Sequence, residues 1–418
     1  MKINKEIKDI LLKRLLISLA ILLIIRIGTF LPVPGINHTD LAFYLQRHSI
    51  TRSLISTFSG DETFVIGLLT LNIFPYINAS ILIQVILGFS PKLAKLQKEG
   101  ELEGRRSITR LTRFITLIWA IIQSFSLAFY LKQVLFDWNY LLACEIVIWL
   151  TTGAMIVLWL SELITDYGLG NGASLLIYTN IISSLPNLWN KIFMDNTQNI
   201  TIFEEIGIIL LVSLTLYGIV FLQEGTRVIP LISSKQLNQS FSQDLITSNN
   251  YLPLRFNQAG VMPIILTTAV LVVPNYINNL GLLPKIDLPI NFEFLRFTYW
   301  IGYFVLILIF SSFYSTIVLN PKDISDQLQK MAVTIPGIRP GIQTTFYLKQ
   351  LMKRITVLGA TMLATLATIP NLIESTLNIK SLNGLSTTSL LILAGVILDL
   401  AREVTNIYYS NIYNNRYQ

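Results

Sequence analysis

The sequence is poor in the residues that most enzymes need. Cysteine occurs once, as Cys144, and histidine twice, as His38 and His48 within one predicted loop. A single cysteine excludes an internal disulfide framework, and so few soft ligands exclude a Cys/His metal cluster. The shortage of histidine also weakens every general acid–base scheme built on it. Charge is scarce as well. Only 13% of the 418 residues are Asp, Glu, Lys or Arg, against about 25% in an ordinary soluble protein.

What takes their place is apolar. Hydrophobic residues make up 52% of the chain, in runs that recur from Leu11 onward. A polytopic membrane protein is the class that fits. The first run, residues 15–25, follows Lys13 and Arg14 in the manner of a signal peptide. It continues through "RIGTFLPVPG" without a small-residue cleavage site, so it reads as a retained span. Ten spans are expected: 15–32, 63–89 (broken), 114–132, 141–161, 172–188, 203–222, 259–278, 298–319, 355–374 and 387–407.

The net charge of +7 follows this topology and does not point to nucleic acid. The N-terminus, even-numbered loops and C-terminus hold 23 Lys plus Arg; the odd-numbered loops hold 7, and Arg26 lies in the first span. Positive residues remain on the cytoplasmic or stromal side, which puts both termini there. The long polar loops 91–113, 223–258 and 320–354 share that face. They suggest a docking surface, although a transporter with a regulatory loop would look similar. Ten spans divide into five and five near residue 195, and an odd number per half implies inverted halves. The expected division is 1–190 and 191–418.

Three stretches interrupt the apolar pattern. In "GLLTLNIFPYINASILIQVILGFSP", residues 67–91, the polar Asn72, Asn78, Ser80 and Gln84 accompany Pro75. Only about ten apolar residues precede the proline, roughly 15 Å of helix and half the hydrocarbon thickness. A half-depth helix, a break and a second helix from Ile77 to Gly88 are expected, as backbone breaks are tolerated where they line a cavity. A proline-kinked ordinary span is the alternative. In "TDYGLGNGASLLIY", residues 165–178, the glycine spacing lacks the preceding strand of a dinucleotide fingerprint and reads as a tight reversal. Glu162 and Asp166 share a helix face just before it and are expected to meet water. In "IPGIRPG", residues 335–341, two Pro-Gly pairs fix a loop that holds Arg339 outward, either for a partner or simply as a solvated turn. No row of intramembrane Asp, Glu or His suggests a proton relay.

Taken together these segments resemble the SecY family, the channel subunits of the Sec protein translocase. The resemblance runs nearly full length, through "RIGTFLPVPGI", "FPYINASILIQ", "LITDYGLGNGASLLI", "QEGTRVIP", "YLPLRFNQAGVMPII", "NPKDISDQLQK", "IPGIRPGIQT" and "TSLLI" in the family's order. It implies an all-α membrane fold with a half-helix plug near residues 56–72 and a lateral gate between the second/third and seventh/eighth spans. It implies an apolar pore ring at Ile73, Ile77, Ala173, Ile177, Ile265 and Ile392, which would exclude water and ions by dewetting. Ala173 departs from the family, which usually carries a bulkier residue there. Asn78, Gln123 and Asn257 match its polar gate positions, and hydrogen bonds among them would hold the gate shut by about 1 kcal/mol each.

Arg339 matches a partner-docking arginine, with Lys235, Arg105 and Arg106 as further docking residues. The loop around Lys235 lacks the family's usual arginines, and Asp61 and Glu62 put charge near the plug. The resemblance implies a protein-conducting channel that passes unfolded polypeptides across the membrane or sideways into lipid. Its implied partners are a SecE-like single-span subunit, a SecA motor or a ribosome, and precursors with signal sequences, with room for a SecG-like third subunit. Membrane lipid is a further partner, and nucleic acid is met only through the ribosome. No cofactor is expected, since nothing in the sequence binds a nucleotide. An ion-coupled transporter and a membrane-embedded enzyme are the competing classes, and both lack their expected polar residues. Richness in Ile and Asn, short termini and a slim docking loop favour a plastid thylakoid membrane, with a bacterial plasma membrane as the alternative.

Overall fold

A chain in hydrocarbon must satisfy its backbone hydrogen bonds internally, and long helices are the simplest way to do so. The computed structural model describes residues 2–34, 67–89, 101–131, 139–193, 202–233, 251–258, 292–318, 320–377 and 387–417, with parts of 260–270. The first unit of packing starts with α1 (Lys2–Thr29), α2 (Phe74–Phe89), α3 (Glu101–Leu131), α4 (Tyr140–Tyr167) and α5 (Gly172–Phe193). Then come α6 (Ile202–Glu224), α7 (Phe292–Val318), the short α8 (Pro321–Lys330), α9 (Ile342–Leu377) and α10 (Thr387–Tyr417). These cover the expected spans apart from the seventh, 259–278, which lies largely outside the described residues.

Among the described residues, four helical stretches are long and apolar enough to cross a membrane: Arg106–Phe129, Tyr140–Tyr167, Trp300–Lys330 and Ile342–Ile369. Their outward faces are greasy. On α4, Leu141, Ile148 and Trp159 are exposed while Ile146, Leu150, Val157 and Ile164 are buried. On α1, Leu12, Leu16, Leu23 and Ile27 likewise face outward. Such surfaces would drive aggregation in water and are ordinary against lipid tails.

The chain divides into two compact units, one of residues 1–194 with 396–418 and one of 195–395. In the first, α3 packs between α2 and α4, and α4 also packs against α1 and α5. Close approach depends on small residues, as is usual between membrane helices. A Cβ on Gly153 of α4 would collide with the Leu68 carbonyl, and one on Gly67 with the Thr29 carbonyl at the end of α1. Ser124 of α3 and Thr151 of α4 share a hydrogen bond of 3.1 Å. The α4–α5 reversal is tight: Gly168 N donates to Ile164 O, Gly172 N donates to Thr165 Oγ1, and Gly170 takes φ +87°. This is the turn that the glycine spacing predicts. Beside it, Glu162 is not simply solvated; Arg113 of α3 donates to its carboxylate at 2.8 Å, while Asp166 is exposed.

In the second unit α9 packs on α6 and α7, around Ile219, Leu222, Tyr303, Ile307, Leu363 and Leu391. A separate apolar cluster underlies the polar loops. There β1 (Thr226–Pro230) pairs antiparallel with β3 (Tyr251–Arg255), and β2 (Ile232–Ser233) pairs with β4 (Val333–Thr334). Ile229, Leu254, Leu328, Ile335, Leu348 and Ile355 fill the space beneath. The described parts of these loops, 223–233 with 251–258 and 320–354, therefore form one folded platform.

The glycine notch generates a prediction. Gly153→Leu forces a side chain into the Leu68 backbone and should destabilise the protein by about 2 kcal/mol, as overpacking does. A lowered thermal midpoint in detergent checks it, and an unchanged midpoint contradicts the packing.

Candidate functional site

The expected break in the second span is present, but the proline does not make it. Pro75 is the second residue of α2, where its missing N–H is an unbonded helix-start donor anyway. Non-helical backbone comes earlier, at 67–73, and is a series of turns. These turns satisfy their own donors: Thr70 N to Gly67 O, Asn72 N to Leu69 O and Phe74 N to Leu71 O. Leu68 N reaches back to Leu31 O at 2.8 Å, tying the segment to the end of α1 beside a Pro32–Gly67 bridge. The helix begins where Ile77 N donates to Ile73 O. The plug expected at 56–72, with Asp61 and Glu62, lies outside the described residues up to 66; the described part, 67–72, is turns and not helix.

Asn72 organises this start. Its φ is +47°, a left-handed conformation that asparagine tolerates better than most residues. Its side chain is 2% exposed. Oδ1 accepts from Ile73 N at 2.8 Å, just before α2, and Nδ2 donates to Asn180 Oδ1 of α5 at 3.0 Å. An interhelical side-chain bond of this kind contributes about 0.6–2 kcal/mol in a membrane protein. Sequence reasoning noticed Asn72 but missed the pair. The available signal was a left-handed-tolerant amide just before a helix-starting Phe-Pro, with a second amide one turn after Ile177.

The ring positions fall on two kinds of backbone. Ile73 closes the turns and Ile77 lies in the first turn of α2; they are 1% and 6% exposed. Ala173 and Ile177 are half-buried in the first turns of α5. In the second unit Ile392 is half-buried near the start of α10, and Ile265 lies outside the described residues. Of the residues expected at a gate, Asn78 on α2 and Gln123 on α3 are half-buried, and Gln123 Oε1 is buried without a hydrogen-bond partner among the described residues. Asn257 spends its amide locally, Nδ2 donating to Gly260 O at 2.9 Å. Its backbone is seated on α9, where a Cβ at Gly359 would meet the Phe256 carbonyl. The neighbouring Gln258 was not anticipated: its Oε1 accepts from Ser315 of α7, which also bonds Thr356 of α9 at 2.7 Å.

On the polar platform Arg339 is exposed, and the loop under it is built rigidly. Ile338 N donates to Ile335 O across the Pro336-Gly337 turn, with Gly337 at φ +78°. Thr344 Oγ1 bonds the Arg339 carbonyl at 2.9 Å, and Ser325 of α8 bonds the carbonyl of Gly341, itself at φ +98°. The arginine is thus presented from a fixed backbone. Arg106 is exposed on α3, Arg105 belongs to the same helix, and Lys235 lies outside the described residues. Among the described residues no group of three or more His, Cys, Asp or Glu could hold a metal ion.

Comparison with known proteins gives these features a common context. A family model described as SecY matches residues 67–401. The protein translocase subunit SecY of Trieres chinensis is 63% identical over 416 residues, with 97% of each chain covered. Those of Porphyra purpurea and Synechococcus elongatus are 43% and 40% identical, covering 98% and 96% of this chain and 98% and 93% of the relative. Among solved structures, one of SecY described by its plug domain aligns with TM-score 0.69 at 17% identity over 97% of this chain and 94% of that one. Canine Sec61 from a ribosome–channel complex aligns with TM-score 0.63 at 16% identity over the same shares. The solved structures share the fold: an all-α membrane protein with several apolar helices. The notched, unwound start of α2 and the platform around Arg339 belong to a chain matched almost end to end by its relatives, and this chain is a member of the SecY family.

Proposed function

We propose that this chain is the central protein-conducting channel of a Sec translocase. Unfolded polypeptides cross through it, and transmembrane segments leave it sideways into lipid. The observation that carries the reading is the near end-to-end match to relatives named as SecY translocase subunits. The geometry of α2 supports it. An unwound segment that leads into α2, with Ile73 and Ile77 buried, suits an apolar constriction that dewets when closed and yields to any side chain when filled. Ala173, Ile177, Ile265 and Ile392 complete the ring in this reading. Ala173 leaves it wider on one side unless the plug fills the gap.

The two halves, 1–190 and 191–418, act as inverted five-span repeats around that passage, with the plug near 56–72. Asn78, Gln123 and Asn257 line the gate, which the apolar helix of a signal sequence opens by offering lipid-facing burial. Energy comes from a partner, because the chain is a conduit and not an enzyme. A SecE-like subunit clamps it, and a SecA motor or a ribosome docks on the platform through Arg339, helped by Lys235, Arg105 and Arg106. The charge asymmetry and the algal and cyanobacterial relatives favour the thylakoid membrane, with both termini stromal.

Photo-crosslinkers placed at Ile77 and Ile177 test the passage directly. With a precursor stalled in transit, both positions should give adducts that require a functional signal sequence; absence of adducts in membranes that still translocate contradicts the reading. Arg339→Glu should lower precursor transport about tenfold, as reversing a charge at a docking contact does, without lowering channel abundance. Transport unchanged by the reversal removes Arg339 from docking. Asn257→Leu should shift the minimum signal hydrophobicity needed for transport, measured with a graded set of signal sequences. An unchanged threshold removes it from the gate.

A further inference from the structure

We propose that Asn72 and Asn180 form a positioning latch. It fixes the separation of the ring-bearing ends of α2 and α5 in the idle channel and must break when a polypeptide widens the passage. The inference rests on the constriction reading above. If only the left-handed turn at Asn72 mattered, glycine would serve equally well. The amide adds two things glycine lacks: the bond from Ile73 N and the bond to Asn180.

Both ends of that bond lie at ring level. Asn72 immediately precedes Ile73, and Asn180 follows Ile177 by three residues, one helical turn along the same face of α5. The bond spans 108 residues of sequence, so it ties two elements that no local structure would hold at a set distance. Asn72 is buried and Asn180 half-buried, so a moving chain or the water that accompanies it can reach one side of the pair. One neutral hydrogen bond is weak enough to break reversibly, as a gate element requires.

The test uses the channel isolated with the subunits that accompany it, reconstituted in planar bilayers, with resting ion conductance normalised per assembled channel. Asn180→Leu and Asn72→Gly should each raise resting conductance about threefold, the population shift supported by an average interhelical hydrogen bond in a membrane protein. The double variant should exceed neither single one. Asn180→Asp keeps an oxygen for the Asn72 amide and should return conductance to the wild-type range. Should Asn180→Leu fail to assemble, Asn180→Ala carries the same expectation. Unchanged conductance, additive single effects, or equal effects of Asp and Leu at 180 overturn the latch. Ile77→Gly separates this from the ring itself. Leakage there without leakage in Asn180→Leu removes the latch and keeps the ring; no leakage in either removes both.

Discussion

A backbone amide in hydrocarbon must find a partner, and each one left unsatisfied costs several kcal/mol. In the second span of this chain residues 67–73 are turns and not helix, and the elements around them are shaped to that requirement. Gly67, Gly28 and Gly153 strip side chains from the neighbouring surfaces so that the turns can settle against α1 and α4. The turns then bond among themselves, to Leu31, and through Asn72 to α5. The break is a built part of the core and presents Ile73 and Ile77 from a backbone that is held on several sides. A passage that must accept any polypeptide needs soft side chains on a firm frame, and in the proposed reading these turns are that frame.

The polar platform follows the same economy by different means. Outside the membrane, water can satisfy the backbone, so firmness has to come from packing. The β1–β3 pair closes one loop on itself, while the β2–β4 pair and one apolar cluster join it to a segment about a hundred residues further on and make the Arg339 segment a rigid projection. A charged side chain presented this way has less freedom to lose on binding, which would suit the docking role proposed for Arg339.

Much of this was legible in the sequence where the cause is local. The reversal at 168–172 needs only its glycines and the Thr165 hydroxyl, so the spacing sufficed. The Pro-Gly pairs announced the Arg339 loop for the same reason, although the Ser325 bond that steadies it comes from another helix. The second span was read as broken, yet the break was attributed to Pro75, which instead starts α2. Asn72 gave the true position, but its partner is 108 residues away and no periodicity pairs two amides at that distance. The expected ring residues carry no mark of their own in the physics of the chain. Ile73 and Ile77 are as buried as any core residue, and only the resemblance to a family singled them out.

The central claim is that residues 67–73 form a firmly bonded, non-helical part of the core that leads directly into α2. Amide hydrogen exchange across this segment in the idle channel, held in lipid nanodiscs, tests it most directly. Protection close to that of the buried helix α4 is the predicted result. Exchange as fast as that of an exposed loop would contradict the account, because the turns would then be open to water and could not carry a fixed constriction.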